Sequence, residues 1–91
     1  MARSKAAANV RKHGVSFERA ATVLQDPEAL SLYDRAHSGD EDRWITLGMD
    51  SHGQLLVVCH TWRETEMGAA RCRLISARKA SKAEARQYRN R

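Results

Sequence analysis

A polar segment between two predicted strands concentrates histidine and acidic side chains. It reads His37-Ser38-Gly39-Asp40-Glu41-Asp42-Arg43. Histidine titrates near neutral pH, so His37 could act as a general acid or base. Glu41 could be a second proton-transfer group, or it could orient a cation. The same segment is also ordinary turn chemistry, because turns prefer Ser, Gly and Asp, and both interpretations stay open.

Four cationic side chains lie near the ends of predicted strands, where a phosphate could bind. Arg63 follows the central strand and Arg71 begins the next one, so antiparallel pairing should place these two side by side. Arg78 and Lys79 end that last strand and should lie toward the opposite end of the sheet. Strand geometry alone does not gather all four, and cations at a sheet rim are also common on a purely structural surface.

These residue types suit the cleavage of RNA without a metal ion. The RNA supplies its own nucleophile, the 2′-hydroxyl, and the protein must move two protons and stabilise charge on the phosphate. Arginine suits the last task because its planar guanidinium binds two phosphate oxygens and stays charged. Tyr33, Trp44 or Trp62 could stack an unpaired base. The chain has only two Trp, two Tyr and one Phe, so some of these rings must fill the core.

No metal site or cofactor is predicted. The two cysteines, Cys59 and Cys72, do not form a C-x-x-C motif. His60 follows Cys59 directly, but adjacent residues of a strand point to opposite faces and cannot easily share one ion.

Two short helices are predicted to open the chain. Residues 5–13 are rich in helix formers, and Gly14 can adopt the left-handed conformation that ends a helix. Ser16 can cap a second helix, with Val15 packing onto its first turn. The residue before Pro27 cannot easily be helical, so this helix should end there. Its buried stripe is predicted from helical spacing at Phe17, Ala20, Ala21 and Leu24.

Four strands and a last helix should follow. Alternating or continuous apolar patterns predict strands at Ala29–Tyr33, Arg43–Leu47, Leu55–Cys59 and Arg71–Ala77. The third is apolar on both faces and should be central, and the short links favour an antiparallel meander. A capping box at Ser81 and Glu84 opens a helix expected to run through Gln87 or Tyr88 before a frayed tail at 89–91. The fold class is therefore α+β, in one domain over residues 1–91.

Length and charge limit the classes of function. A chain of 91 residues suits one domain, without room for a glycine-rich dinucleotide site. It has no apolar run long enough to span a bilayer and no signal-peptide pattern, so we expect a cytoplasmic protein without a membrane partner. The last 21 residues carry eight basic side chains and one acidic one. Such a basic end attracts a polyanion or an acidic protein, or it is simply a solvated helix face.

The chain resembles the BrnT family, the toxin half of bacterial type II toxin–antitoxin pairs. The resemblance runs in order from about Lys5 to Tyr88. The segments that carry it are Ala6-Ala7-Ala8-Asn9, Arg11-Lys12-His13-Gly14-Val15-Ser16-Phe17, Asp26-Pro27, His37-Ser38 with Glu41-Asp42-Arg43, and Leu74-Ile75-Ser76-Ala77-Arg78-Lys79-Ala80.

The resemblance implies a RelE-like fold and an endoribonuclease that inhibits translation. It also implies neutralisation by a BrnA-like antitoxin with a ribbon-helix-helix domain. The complex would bind and repress its own operator DNA, and only the antitoxin would contact that DNA. By this resemblance, His37, Glu41, Arg63 and Arg78 would be catalytic. Arg43, Trp62, Arg71 and Lys79 would bind RNA.

One departure from the family supports an alternative. Family members begin with a short strand of the kind Phe-x-Trp-Asp, where this chain has Met1-Ala2-Arg3-Ser4. Either the true start of the protein lies upstream, or the sheet lacks one strand. A missing strand would leave a sheet edge open to a second copy of the chain. It would also favour a catalytically weak RelE-like binding module that acts only within a toxin–antitoxin repressor complex. A housekeeping RNA-binding domain is a third possibility.

Overall fold

The order of elements is the α+β order predicted from the sequence. The computed structural model describes residues 5–39 and 41–90. Helices α1 (Lys5–His13) and α2 (Phe17–Val23) precede the strands, and α3 (Lys82–Arg89) follows them. The strands are β1 (Leu30–Tyr33), β2 (Asp42–Met49), β3 (Leu55–Glu64) and β4 (Ala70–Lys79). They form one antiparallel sheet in the order β1-β2-β3-β4, so the predicted meander is confirmed.

The sheet has an apolar core on both faces, because β3 is apolar on both sides. On one side, here the α2 face, Leu56 and Val58 pack with Ala77, with residues of α2 and with Val15 of the linker before it. On the other side, here the α3 face, Val57 packs with Leu47 and with Tyr88 of α3. The prediction of a central strand buried on both faces is confirmed.

Helix α1 is joined to the free edge of β4 by a buried asparagine. The side-chain amide of Asn9 donates to the carbonyl oxygens of Val15 and Ala77, at 2.9 and 2.8 Å. Its Oδ1 accepts from the backbone N–H of Ala77 at 3.0 Å. Asn9 therefore satisfies both main-chain groups that Ala77 presents at this edge, where another chain could otherwise pair. Pairing between copies at a sheet edge stays a prediction.

The predicted buried stripe of α2 is partly wrong. Ala20 is buried as expected, but Ala21 and Leu24 are exposed and Val23 is fully buried instead. Val23 lies against Gly48 of β2, where an added Cβ would come within 2.9 Å of Val23 Cγ1. This close approach to a glycine sets the rotation of the helix, and helical periodicity cannot reveal it.

Helix α3 begins at the predicted capping box and is slightly longer than expected. The Ser81 hydroxyl accepts from the Glu84 N–H, and the Glu84 carboxylate accepts from the Ser81 N–H. The helix continues through Arg89, and Asn90 N–H donates to the carbonyl of Arg86. Residues 1–4 and Arg91 lie outside the described residues. The expected absence of a first strand and the expected fraying at the end of the tail therefore stay predictions. None of the described helices has the length and apolar character needed to span a bilayer.

Candidate active site

An open hollow of about 720 Å³ lies on the α3 face, where β2 begins and β3 approaches its end. Its volume is in the range of small-molecule sites in proteins. The lining side chains are mostly polar or charged and come from α1, from the segment between β1 and β2, and from three strands. They are Lys5, His37, Gly39, Glu41, Arg43, Thr61, Arg63, Arg73 and Ile75.

A β-bulge decides which arginines of β4 share this face. Cys59 pairs with Ser76, but the next residue, His60, pairs with Leu74, so Ile75 is an extra residue on β4. Beyond the bulge Arg73 opposes Thr61, and both line the hollow. Without the extra residue, strict alternation along β4 would turn Arg73 to the α2 face.

Arg43 and Arg63 reach the hollow from neighbouring strands. Arg43 opposes Thr61, two residues before Arg63 on β3. The Nε of Arg43 is buried and has no hydrogen-bond partner within residues 5–39 and 41–90. Buried donors in native proteins are nearly always paired, so the unpaired Nε–H of Arg43 is unusual. Phosphate oxygens suit a guanidinium because the two can form parallel hydrogen bonds.

Glu41 and Arg73 form an ion pair at the rim of the hollow. Arg73 Nη2 donates to Glu41 Oε1 at 2.5 Å. The carboxylate thus lies beside a guanidinium that a bound phosphate would also contact. The pair holds one proton acceptor and one cation in fixed positions, as a phosphodiester reaction needs.

Asp34 orients the imidazole of His37. Asp34 caps the 3-10 turn Arg35–His37, and its carboxylate oxygens lie 3.1 and 3.0 Å from His37 Nδ1. An ionised carboxylate only accepts, so Nδ1 carries the proton and Nε2 is left to exchange a proton with a substrate. The hydrogen bond from His37 lowers the pKa of Asp34 below its ordinary value, and the charge of His37 acts in the same direction.

Ser38 ties this turn to the start of β2. Its hydroxyl donates to the carbonyl oxygen of Asp34 at 2.7 Å and accepts from the backbone N–H of Arg43 at 3.0 Å. The histidine turn and the strand that carries Arg43 are therefore joined through one side chain. Ser38 is one of the residues that allowed this segment to be interpreted as an ordinary turn. In the structure it also helps to position His37.

Five of the eight predicted site residues lie in or beside the hollow. His37, Glu41, Arg43 and Arg63 line it, and Arg71 is adjacent, because it opposes Arg63 as predicted. The sequence analysis missed Lys5, Asp34, Thr61 and Arg73. Asp34 could have been found from its spacing, three residues before a histidine, whereas the bulge that places Arg73 has no clear sequence signal.

Arg78 and Lys79 lie away from the hollow, at the opposite end of the sheet, as their strand position predicts, and their roles in catalysis and RNA binding stay predictions. Arg78 makes two hydrogen bonds to Glu84 of α3, at 2.9 and 2.8 Å. This contact is the main reason that the pKa of Glu84 falls to about 2. Lys79 opposes Leu56, whose side chain belongs to the core of the α2 face. Both residues end β4, at the opposite end of the sheet.

The aromatic side chains proposed to stack a base lie on the reverse side of the sheet. Trp62 alternates with Arg63 and is 49% exposed on the α2 face. Trp44 shares that face and meets Tyr33 edge-on, with ring centroids 5.2 Å apart. A base stacked on Trp62 would therefore lie outside the hollow, on the other face of the sheet, and the role of Trp62 in RNA binding stays a prediction.

His60 is a buried structural residue. Its Nε2 lies 2.8 Å from Thr46 Oγ1, which in turn lies 2.8 Å from Ser31 Oγ. Burial lowers the pKa of His60. Cys59 points to the opposite face, as predicted from strand alternation. Within the described part of the chain no three His, Cys, Asp or Glu side chains are close enough to hold a metal ion.

Comparison with known proteins identifies the family. A family model described as the ribonuclease toxin, BrnT, of a type II toxin–antitoxin system matches residues 2–84. A search of the curated proteins finds no match. The matched span contains every residue of the hollow and the positions from which the resemblance was drawn. The chain therefore belongs to the BrnT family of ribonuclease toxins of type II toxin–antitoxin systems.

Proposed function

We propose that the chain is a metal-independent endoribonuclease that cleaves RNA in the hollow and thereby inhibits translation. One observation carries this proposal: three guanidinium groups converge with His37 and Glu41 on one open surface. The buried, unpaired Nε of Arg43 supports an anionic ligand at that place. Arginines can carry the charge stabilisation that a metal ion supplies in other nucleases.

In the proposed reaction the 2′-oxygen of the RNA attacks the adjacent phosphorus. Glu41 accepts the 2′-hydroxyl proton, and His37, protonated and held by Asp34, donates a proton from Nε2 to the departing 5′-oxygen. The bond from the 2′-oxygen to phosphorus forms as the bond from phosphorus to the 5′-oxygen breaks. The products are a 2′,3′-cyclic phosphate and a 5′-hydroxyl end.

The arginines stabilise the extra charge on the phosphate oxygens during this step. Arg43 and Arg63 are positioned to hold the phosphate, and Arg73 is shared between the phosphate and Glu41. Loss of one preorganised donor of this kind commonly lowers kcat about 10²–10³-fold. Arg71, beside Arg63, extends the positive surface along the RNA backbone.

The test is cleavage of a labelled RNA by the purified chain in excess chelator. We expect cleavage with cyclic-phosphate ends, and a loss of at least tenfold in Arg43→Ala and Arg63→Ala. Arg86→Ala, which removes an exposed charge from α3, is the matched control and should cleave normally. Cleavage that requires a divalent ion, or that survives both hollow substitutions, would contradict the proposal.

We further propose that a BrnA-like ribbon-helix-helix antitoxin neutralises the chain, and that operator DNA is bound only through that partner. The family description supports an antitoxin of some kind. Expression of the chain alone should arrest growth, and co-expression of the protein encoded next to it should restore growth. A gel shift of promoter DNA by the isolated chain would contradict the second part.

The Glu41–Arg73 ion pair favours one alternative. Glu41 already accepts a hydrogen bond from Arg73 and is only partly available to accept a proton from RNA, so the chain could be a catalytically weak binding module within a toxin–antitoxin repressor complex. This alternative predicts normal complex formation with the partner protein and no RNA cleavage by the isolated chain under any buffer condition.

A further inference from the structure

An aromatic cleft of about 220 Å³ lies on the α2 face of the sheet, over the first part of β2 and the last part of β3. It is lined by Trp44 and Trp62, with Ser31 and His60. The apolar core of this face includes Val58 of β3 but not Trp62, which is 49% exposed. A large aromatic side chain left exposed beside a cleft is a common sign of a binding site.

Hydrogen bonds fix the floor of the aromatic cleft. His60 is 5% exposed, and its two ring nitrogens lie 2.8 Å from Thr46 Oγ1 and 3.6 Å from Cys72 Sγ. Burial lowers the pKa of His60 below its ordinary value, so the imidazole is neutral at neutral pH. The cleft therefore has a preformed floor that does not repel a positive charge.

Two carboxylates without a cationic partner flank the aromatic cleft. Asp42 pairs with Trp62 across the strands, and its Oδ1 accepts from the Tyr33 hydroxyl at 3.0 Å. Glu64 lies two residues beyond Trp62 on β3, so strand alternation gives it the same face. Both acidic residues are exposed, and neither forms an ion pair with any residue that the structure describes.

The arginines of the strands at this end of the sheet lie on the other face. Arg43, Arg63 and Arg73 line the hollow, and Arg71 opposes Arg63. One face is therefore positively charged, and the other combines aromatic rings with negative charge. A polyanion is attracted to the first and repelled by the second. The charges around the aromatic cleft thus favour a positively charged ligand.

The aromatic rings indicate which kind of cation fits. The face of a tryptophan ring attracts cationic side chains, arginine more often than lysine, because the planar guanidinium also stacks on the ring. The volume of about 220 Å³ is below the roughly 300–1,000 Å³ of small-molecule sites. It suits one long side chain. Tyr33 meets Trp44 edge-on and extends the aromatic surface beyond the cleft.

We propose that the aromatic cleft binds an arginine side chain from a basic segment of another protein, with the guanidinium stacked on Trp62 and its charge paired with Asp42. The proposal goes beyond the proposed function, because it assigns a protein-binding site to the face opposite the hollow. It does not depend on RNA cleavage.

The test follows tryptophan emission while a synthetic peptide of glycine and arginine is added to the purified chain. Trp44 and Trp62 are the two tryptophans of the chain, so the emission reports on the aromatic cleft. We expect a saturable change. The same peptide with citrulline in place of arginine should bind about tenfold more weakly, because citrulline keeps the planar group but has no charge.

Substitutions separate the two contacts, with peptide binding measured by calorimetry. Trp62→Leu should weaken binding about tenfold, the size of a well-formed cation–π contact. Asp42→Asn should weaken it about threefold, as for an exposed ion pair. Glu66→Gln removes a carboxylate from the β3–β4 hairpin and is the matched control, which should bind normally. If Trp62→Leu does not fold, Asp42→Asn and the citrulline peptide still test the proposal.

Five results would overturn the proposal. They are unchanged emission with the arginine peptide, equal binding of the two peptides, normal peptide binding by Trp62→Leu, weaker RNA binding in Trp62→Leu with unchanged peptide binding, and a dimer of the isolated chain that Trp62→Leu converts to a monomer. The last two would assign the aromatic cleft to an RNA base or to the basic end of a second copy.

Discussion

Among the arginines of the hollow, Arg43 is the one whose guanidinium most needs a hydrogen-bond acceptor. Its Nε is buried and unpaired within the described residues, while Arg73 is already held by Glu41. An anion bound in the hollow can accept two parallel hydrogen bonds from the planar guanidinium of Arg43. The guanidinium, and not the charge alone, is therefore the feature that should matter for activity.

We predict that Arg43→Lys lowers RNA cleavage about 10- to 100-fold although the charge is retained. Lysine lacks the Nε–H and the planar fork that contacts two phosphate oxygens. The measurement is single-turnover cleavage, with Arg86→Lys as the matched control on exposed α3. Equal activity of Arg43→Lys and the unsubstituted chain would show that charge alone suffices.

Asp34 is a positioning residue that acts through His37. We predict that Asp34→Asn lowers cleavage about tenfold, because an amide can turn its NH2 group toward His37 Nδ1 and no longer fixes which ring nitrogen carries the proton. Asp34→Glu should restore part of the rate, and Glu66→Gln on the exposed hairpin should change nothing. A loss of folding stability in Asp34→Asn that accounts for the whole loss of cleavage would instead indicate a purely structural role for Asp34.

Among the secondary-structure elements, helix α3 is stabilised by one side chain, that of Glu84, which makes two kinds of contact. Glu84 completes the capping box and also binds Arg78 of β4 with both carboxylate oxygens. These contacts lower the pKa of Glu84 from its ordinary 4.5 to about 2. The folded state therefore favours the charged carboxylate, and the stabilisation is present above pH 4.5 and lost as the pH falls toward 2.

We predict that Glu84→Gln lowers the free energy of unfolding by about 1 kcal/mol at neutral pH, since solvent screens this partly exposed pair. Glutamine preserves the cap but not the charge. The difference from the unsubstituted chain should shrink as the pH falls from 4.5 to about 2, as measured by urea unfolding. A difference that stays constant over this range would exclude the ion pair as its cause. Glu66→Gln is the control.

For the molecule as a whole, packing of α2 onto the sheet depends on Gly48. An added Cβ would meet Val23 Cγ1 at 2.9 Å, Ala29 Cβ at 3.0 Å and Asp26 Oδ2 at 3.3 Å. The contacted groups belong to α2 and to the segment after it, which pack against β2 at this point. A residue larger than glycine at position 48 would therefore push α2 and this segment away from β2.

We predict that Gly48→Ala lowers the free energy of unfolding by about 1–3 kcal/mol, the usual cost of overpacking a core. Gly39→Ala is the matched control, because an added Cβ there has no neighbour within 4 Å. It should change stability by less than about 0.5 kcal/mol. Thermal and urea unfolding measure both, and equal stability of the two variants would show that the packing at Gly48 can relax.

The element order and the meander could be predicted because they depend on local signals. Gly14 has a φ of 70°, Ser16 and Ser81 cap their helices, and β3 is apolar on both faces as its sequence indicates. His37, Glu41, Arg43 and Arg63 were recognised as chemically suited and do line one hollow. The wrong face of α2 arose where a contact distant in sequence, that of Val23 with Gly48, decides the outcome.

The amino-acid sequence by itself determined the α+β class and the strand order, because caps, turn residues and hydrophobic periodicity act within a few positions. The basic C-terminal end follows from composition, and the family follows from segments that match it along the chain. Only the tertiary structure decided which cations share a surface. The bulge at Ile75 places Arg73 opposite Thr61, on the face that carries the hollow. This outcome depends on the register of one strand against another, which is set by the packing of the whole sheet and not by any single segment.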